Sequence, residues 1–93
     1  MKIEFDLDGD MEQYGPDIQM FVTLMMEKLQ KNIHKGRWEN MPLGIAWMLL
    51  LGEIRELRKE MEQQHLDRHR ILRECADVAN FAMIMSSIAL REK

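Results

Sequence analysis

The chain has 93 residues, 46% hydrophobic and 31% charged, which excludes a disordered segment and points to one folded domain with a small core. A net charge of -3 argues against a general nucleic-acid binder, which carries a basic excess, and no apolar run is long enough to span a membrane. Cys75 is the single cysteine, so an intrachain disulfide is excluded and a reducing, cytoplasmic setting is the expectation.

Lys2 to Leu7 alternate with a period of two, the pattern of a short strand or extended arm, and Asp8-Gly9-Asp10 reads as a turn after it. Phe5-Asp6-Leu7-Asp8-Gly9 resembles the nucleophile strand of haloacid-dehalogenase phosphatases. However, Asp10 stands where that family has Thr or Val, and no large α/β domain follows. Asp6, Asp8 and Asp10 are spaced like the opening of an EF-hand loop. Its sixth position is Met11 instead of glycine and its twelfth is Asp17 instead of glutamate, so an exposed acidic turn is the preferred reading.

Gly15-Pro16-Asp17 opens the first helix, because proline fits the first helical turn. Ile18, Phe21, Val22, Met25 and Leu29 recur at spacings of three and four, and the helix ends near Asn32. His34 to Trp38 reads as a loop. Pro42 restarts a helix that carries Leu43, Ala46, Trp47, Leu50, Ile54, Leu57 and Met61 as its apolar stripe. Residues 62–70 are polar and form a connection in which Asp67 is a candidate N-cap. The last helix runs to near the end, with Ile71, Leu72, Cys75, Val78, Ala79, Ala82, Met85 and Ala89 as its expected apolar face. The expected fold is therefore all-α, a small antiparallel bundle of three main helices in a single domain over 1–93. Residues 1–15 would form an extended arm and turn. Oligomerisation would complete the bundle, with Met20, Leu24, Met26, Leu49, Leu51, Phe81 and Ile84 as interface candidates.

The chemistry concentrates in two acid pairs. Glu53 and Glu56 are three residues apart on the second helix, and Glu74 and Asp77 three apart on the third. Residues at that spacing share a helix face, separated by about 4.5 Å of rise. Four carboxylates brought together repel one another unless a cation neutralises them, and hard oxygen donors suit Mg²⁺, or Mn²⁺ in its place. Glu60 lies four residues beyond Glu56, and a solvated helix edge paired with Arg55, Arg58 and Lys59 is the plain alternative for these acids. Asp77 fits that alternative poorly, since it stands among Cys75, Ala76, Val78, Ala79 and Phe81. Asn80 extends the polar line from Glu74 and Asp77. It is a candidate contact to a ligand or metal-bound water, or else a helix–helix hydrogen bond.

Glu-x-x-Glu followed on the next helix by Glu-x-x-Asp resembles the MazG-like all-α nucleoside triphosphate pyrophosphohydrolases. Glu74 to Phe81 looks like that family's second metal-binding segment, and Lys28 to Trp38 like the segment before its first metal-binding helix. The resemblance spans roughly residues 21–88. It implies hydrolysis of a nucleoside triphosphate between the α- and β-phosphates, with Glu53, Glu56, Glu74 and Asp77 at the metal-ligand positions. Glu56 is the candidate general base. His34, Lys35 and Arg37 are candidate substrate contacts, Trp38 a candidate base-stacking or lid residue, and Asn80 a further substrate contact. The partners implied are a nucleoside triphosphate and a second copy or copies of the chain, as a homodimer or homotetramer, with neither nucleic acid nor membrane.

Two other classes fit less of the chain. A carboxylate-bridged di-iron bundle needs Glu-x-x-His on two helices, and only Glu62-Gln63-Gln64-His65 supplies one. A non-catalytic helical interaction module would use the same amphipathic stripes, with the acids as surface charge.

Overall fold

Local chemistry fixes where each helix starts. A computed structural model describes residues 8–32 and 38–91. Pro16 sits in the first turn of α1 (Gly15–Lys31), where a missing N–H costs nothing. Pro42 immediately precedes α2 (Leu43–Met61) in extended backbone, and its carbonyl accepts from the N–H groups of Ile45 and Ala46 at 3.0 and 3.2 Å. Asp67 caps α3 (Arg68–Arg91): the Arg70 N–H donates to its Oδ1 at 3.2 Å, and the Ile71 N–H donates to its carbonyl at 3.0 Å. Lys28 and Lys31 lie in the last turn of α1, and Arg58 and Lys59 in the last turn of α2, where cations complement the helix dipole.

One boundary differs from expectation. Gly9–Tyr14 form a 3₁₀ helix that continues directly into α1, because Gly15 is itself in helical conformation and the proline after it is tolerated there. Gly9 opens this segment at φ +59°, a conformation that glycine adopts without strain. The extended arm expected over residues 2–7, and His34, Lys35 and Arg37, lie outside the described residues.

Among the described residues the regular structure is all helical, three α-helices and one 3₁₀ helix with no strand. α3 is the central element. It packs on α2 along an extensive interface and on α1 along a shorter one, while α1 and α2 make no comparable contact with each other. The core is correspondingly thin. Ala46, Ile84 and Ile88 are its buried centre, with Trp38, Met41, Leu43, Phe81 and Met85 packed against them. Leu50 and Ala76 are also buried, and α1 has no fully buried residue.

The buried stripes correct the expected ones. On α2, Trp47, Ile54 and Met61 are exposed, and besides the half-buried Leu51 and Gly52 the covered positions are Leu43, Ala46, Leu50, Glu53, Leu57 and Glu60. These alternate in steps of three and four, so two acids occupy places that a hydropathy stripe assigns to apolar residues. On α3 the buried line is Ala76, Asn80, Ile84 and Ile88, whereas Leu72, Ala82 and Ala89 are exposed. α3 serves two neighbours, so its covered sector includes polar residues. Ile84 belongs to this intrachain core and Phe81 packs on it, which removes Ile84 from the interface candidates.

Candidate metal centre

α2 and α3 bring members of both acid pairs to one place. Glu53, Glu74 and Asp77 each offer a carboxylate oxygen, and these three oxygens lie within 4.8 Å of one another. All three side chains are half-buried. Glu53 is there because it occupies a covered position of α2, one turn beyond Leu50. Glu74 and Asp77 stand one turn apart on the part of α3 that meets it.

Burial and crowding show in the acid–base behaviour. Partial burial raises the pKa of Glu53 above the ordinary carboxylate value, and the nearby charges of Asp77, Glu74 and Glu56 push it the same way. Glu74 is raised for the same leading reason, with Asp77 the next contributor, and Glu56 and Glu60 also act on it. Lys28 opposes the rise at both sites.

Lys28 is the residue that reasoning from sequence missed. Its Nζ lies 3.2 Å from Asp77 Oδ2, with both side chains mostly covered. It reaches the acids because α1 packs on α3, three residues after Met25, whose carbonyl accepts a hydrogen bond from Asn80 Nδ2 at 3.0 Å. A signal was present: Phe21, Met25 and Lys28 share one face of α1, and a lysine on an apolar stripe calls for a partner.

The other expected site residues fall in three places. Glu56 stands outside the three-carboxylate group. It is exposed, and its Oε1 accepts from Lys59 Nζ at 3.1 Å, although its charge is felt at Glu53 and Glu74. Asn80 is only 4% exposed and ties α3 to α1 through Met25, while its Oδ1 is buried without a hydrogen-bond partner. Trp38 packs against Ala46, Ile84 and Ile88 with its Nε1 buried and unpaired among the described residues. Ala46 precedes Glu53 by two turns of α2, so Trp38 lies toward the opposite part of the α2–α3 interface from the acids.

The donor set suits a hard divalent cation. It is all oxygen and anionic, and it comes from two rigid helices. Mg²⁺ holds oxygens at about 2.0–2.1 Å, so adjacent ligands stand roughly 3 Å apart and at most one pair of the three can stand opposite, at roughly 4.2 Å; the three oxygens would draw closer together to hold it. Three protein ligands leave coordination positions for water and phosphate oxygens. No helix among the described residues is long and apolar enough to cross a membrane. The chain matches no family model, no curated protein and no solved structure.

Proposed function

We propose that this chain is a Mg²⁺-dependent nucleoside triphosphate pyrophosphohydrolase of the MazG-like type, releasing pyrophosphate and the nucleoside monophosphate. One observation carries the reading: the three half-buried carboxylates Glu53, Glu74 and Asp77, drawn from acid pairs about twenty residues apart in sequence, converge within 4.8 Å. A structural role explains them poorly, because burial and mutual repulsion both disfavour their charged forms.

In this reading Glu53, Glu74 and Asp77 hold the cation, with Mn²⁺ able to replace Mg²⁺. The bound cation neutralises phosphate charge and polarises the anhydride. Glu56, one turn from Glu53 and more exposed, takes a proton from the attacking water. The water oxygen bonds to phosphorus, the bridge between α- and β-phosphates breaks, and its oxygen leaves on pyrophosphate. Lys28 adds positive charge beside the site, and His34, Lys35 and Arg37 are proposed phosphate contacts. Trp38 and Asn80 are already engaged in packing and helix–helix bonding, so the proposal does not lean on them. The working form is a homodimer or homotetramer of antiparallel bundles.

The test is Mg²⁺-dependent pyrophosphate release across ordinary and deoxynucleoside triphosphates, with Glu53→Gln, Glu74→Gln and Asp77→Asn as probes. Each substitution should lower turnover by at least about tenfold, since loss of a metal ligand or its support costs that much or more. Glu56→Gln should lower kcat while leaving Mg²⁺ affinity closer to wild type than Glu53→Gln does. Near-normal turnover in the Glu74 and Asp77 variants would defeat the assignment. A second reading, a non-catalytic helical interaction module, is favoured by the uncovered apolar residues of α2. It predicts indifference of thermal stability to Mg²⁺ and nucleotide.

A further inference from the structure

Three helices meet at the carboxylate group. α2 brings Glu53, α3 brings Glu74 and Asp77, and α1 brings Lys28, whose Nζ stands 3.2 Å from Asp77 Oδ2. The pair is well covered, with 24% of the lysine side chain and 19% of the aspartate side chain exposed. An ammonium in such a place has lost part of its hydration and depends on its partner. α1 gains little apolar burial alongside, since none of its residues is fully buried. Other basic side chains of α2 and α3 are engaged elsewhere: Lys59 with Glu56, Arg58 with Glu62, and Arg70 with Glu60 and Asp67.

Lys28 supplies to the metal-free protein part of the charge that a cation would bring. One ammonium offsets only one of three carboxylates, yet its field reaches past Asp77 and favours the ionised forms of Glu53 and Glu74 as well. Ammonium and metal ion repel each other if both remain. A divalent ion holds its oxygens at about 2.1 Å, so one bound to Asp77 Oδ2 would lie within roughly 5 Å of Lys28 Nζ. Salt screens charges little at that separation in a half-buried setting.

We propose that Lys28 is the resident counter-ion of the carboxylate group: a divalent cation displaces its ammonium from Asp77, and the freed ammonium then takes an oxygen of the substrate's phosphate chain. The second step follows from reach. α1 is tied one turn earlier by the 3.0 Å bond from Asn80 Nδ2 to the Met25 carbonyl, so the backbone at Lys28 stays in place while Nζ swings on its flexible stem. A phosphate oxygen in the neighbouring coordination position stands roughly 3 Å from the Asp77 ligand oxygen, inside that swing. Metal alone meets the lysine as a rival, whereas metal with phosphate gives the lysine a new partner. The two ligands therefore bind with positive coupling. The inference rests on the metal site of the proposed function, and only its second step needs a phosphate ligand.

Mn²⁺ binding to the full chain, read without nucleotide from the electron paramagnetic resonance of the free ion, tests the exchange. Lys28→Met should bind Mn²⁺ about tenfold more tightly than wild type, a coupling of ordinary size. Lys28→Arg keeps the charge and should stay near wild type. Calorimetry with inorganic pyrophosphate reads the second step: the preference for the Mn²⁺–pyrophosphate complex over Mn²⁺ alone should fall about tenfold or more in Lys28→Met. Lys28→Gln should follow Lys28→Met in both respects, which keeps the test decisive if the methionine variant loses helix content. Weaker Mn²⁺ binding in the two neutral variants would overturn the inference and make Lys28 a support that orients Asp77, whose loss weakens metal ligation. Unchanged Mn²⁺ binding in them, or none in any of the proteins, would overturn it too. Turnover is a separate readout. Tighter Mn²⁺ binding in the neutral variants, with no pyrophosphate release by the wild type, would defeat the catalytic reading and leave the displacement of Lys28 standing.

Discussion

Lys28 Nζ stands 3.2 Å from Asp77 Oδ2, so α1 delivers an ammonium to the edge of the carboxylate group built by α2 and α3. The contact couples a helix that shares little core with α2 to the chemistry of the α2–α3 interface. Lys28→Met keeps the aliphatic stem and removes the charge. In metal-free protein it should cost about 1 kcal/mol, the upper part of the range for incompletely buried pairs. For a domain of this size that corresponds to a fall in Tm of about 4–8 °C. Mg²⁺ should raise the Tm of the variant more than that of the wild type, because the cation then supplies the missing positive charge. Equal Tm values for the two proteins with and without Mg²⁺ would show the pair to be energetically idle.

Stability should depend on pH through Glu53 and Glu74. Both carboxyls are harder to ionise in the folded chain than in the unfolded one, so proton uptake favours the fold. Their contribution is fully present below the unfolded glutamate value of about 4.3 and is lost as pH rises through the raised folded values. The metal-free wild type, relative to the Glu53→Gln/Glu74→Gln double variant, should therefore gain stability as pH is lowered from neutral toward that range. Urea midpoints across the range read this out, and taking the difference cancels the histidines. Saturating Mg²⁺ should reverse the trend, since a cation favours the ionised carboxylates. A metal-free difference that shrinks or changes sign on acidification would contradict the arrangement.

The helices were largely legible in the sequence, because Pro16, Pro42 and Asp67 mark their starts through backbone chemistry that acts locally. Of the two acid pairs, Glu74 and Asp77 share a face as their three-residue spacing implies, whereas Glu53 is half-buried beside them and Glu56 is exposed outside the group. What could not be read was which sector of each helix would be covered. Hydropathy assigns Trp47, Ile54 and Met61 to the stripe of α2, yet Glu53 and Glu60 take the covered places and those three face outward. The same limitation hid Lys28. Its partner is set by where α1 crosses α3, a tertiary fact that no local spacing encodes.

Asn80 should behave as a structural residue. Its Nδ2 donates to the Met25 carbonyl across the α1–α3 contact, with Asn80 buried and Met25 half-buried. Asn80→Ala removes the side-chain hydrogen bond that ties α3 to α1 and opens a small cavity, while the Met25 carbonyl keeps its helical partner, and loss of one such bond costs about 0.5–1.5 kcal/mol. The loss should appear as a lower urea midpoint, while the KM measured on the fraction that remains folded should stay close to wild type. A normal midpoint with a raised KM would instead place Asn80 at the ligand.

Trp38 gives the clearest contrast between a role in the core and a role at the ligand. Its ring packs on Ala46, Ile84 and Ile88, two turns of α2 away from Glu53, and its Nε1–H is buried without an acceptor. Trp38→Ala removes a large part of the packing around the cluster of Ala46, Ile84 and Ile88. The expected cost is about 3 kcal/mol, the low end for tryptophan truncation because the ring is only half-buried. Trp38→Phe should cost far less, within about 1 kcal/mol, because the lost ring area is offset by relief of an unpaired buried donor. Thermal unfolding of the two variants separates these values. In a Trp47→Phe background, Trp38 emission should be blue-shifted and should follow global unfolding. It should change little when Mg²⁺ and a nucleoside triphosphate are added together. A strong nucleotide-dependent change at constant helix content would mean that Trp38 leaves the core to meet the base, and the Phe variant would then lose affinity for nucleotide while keeping its stability.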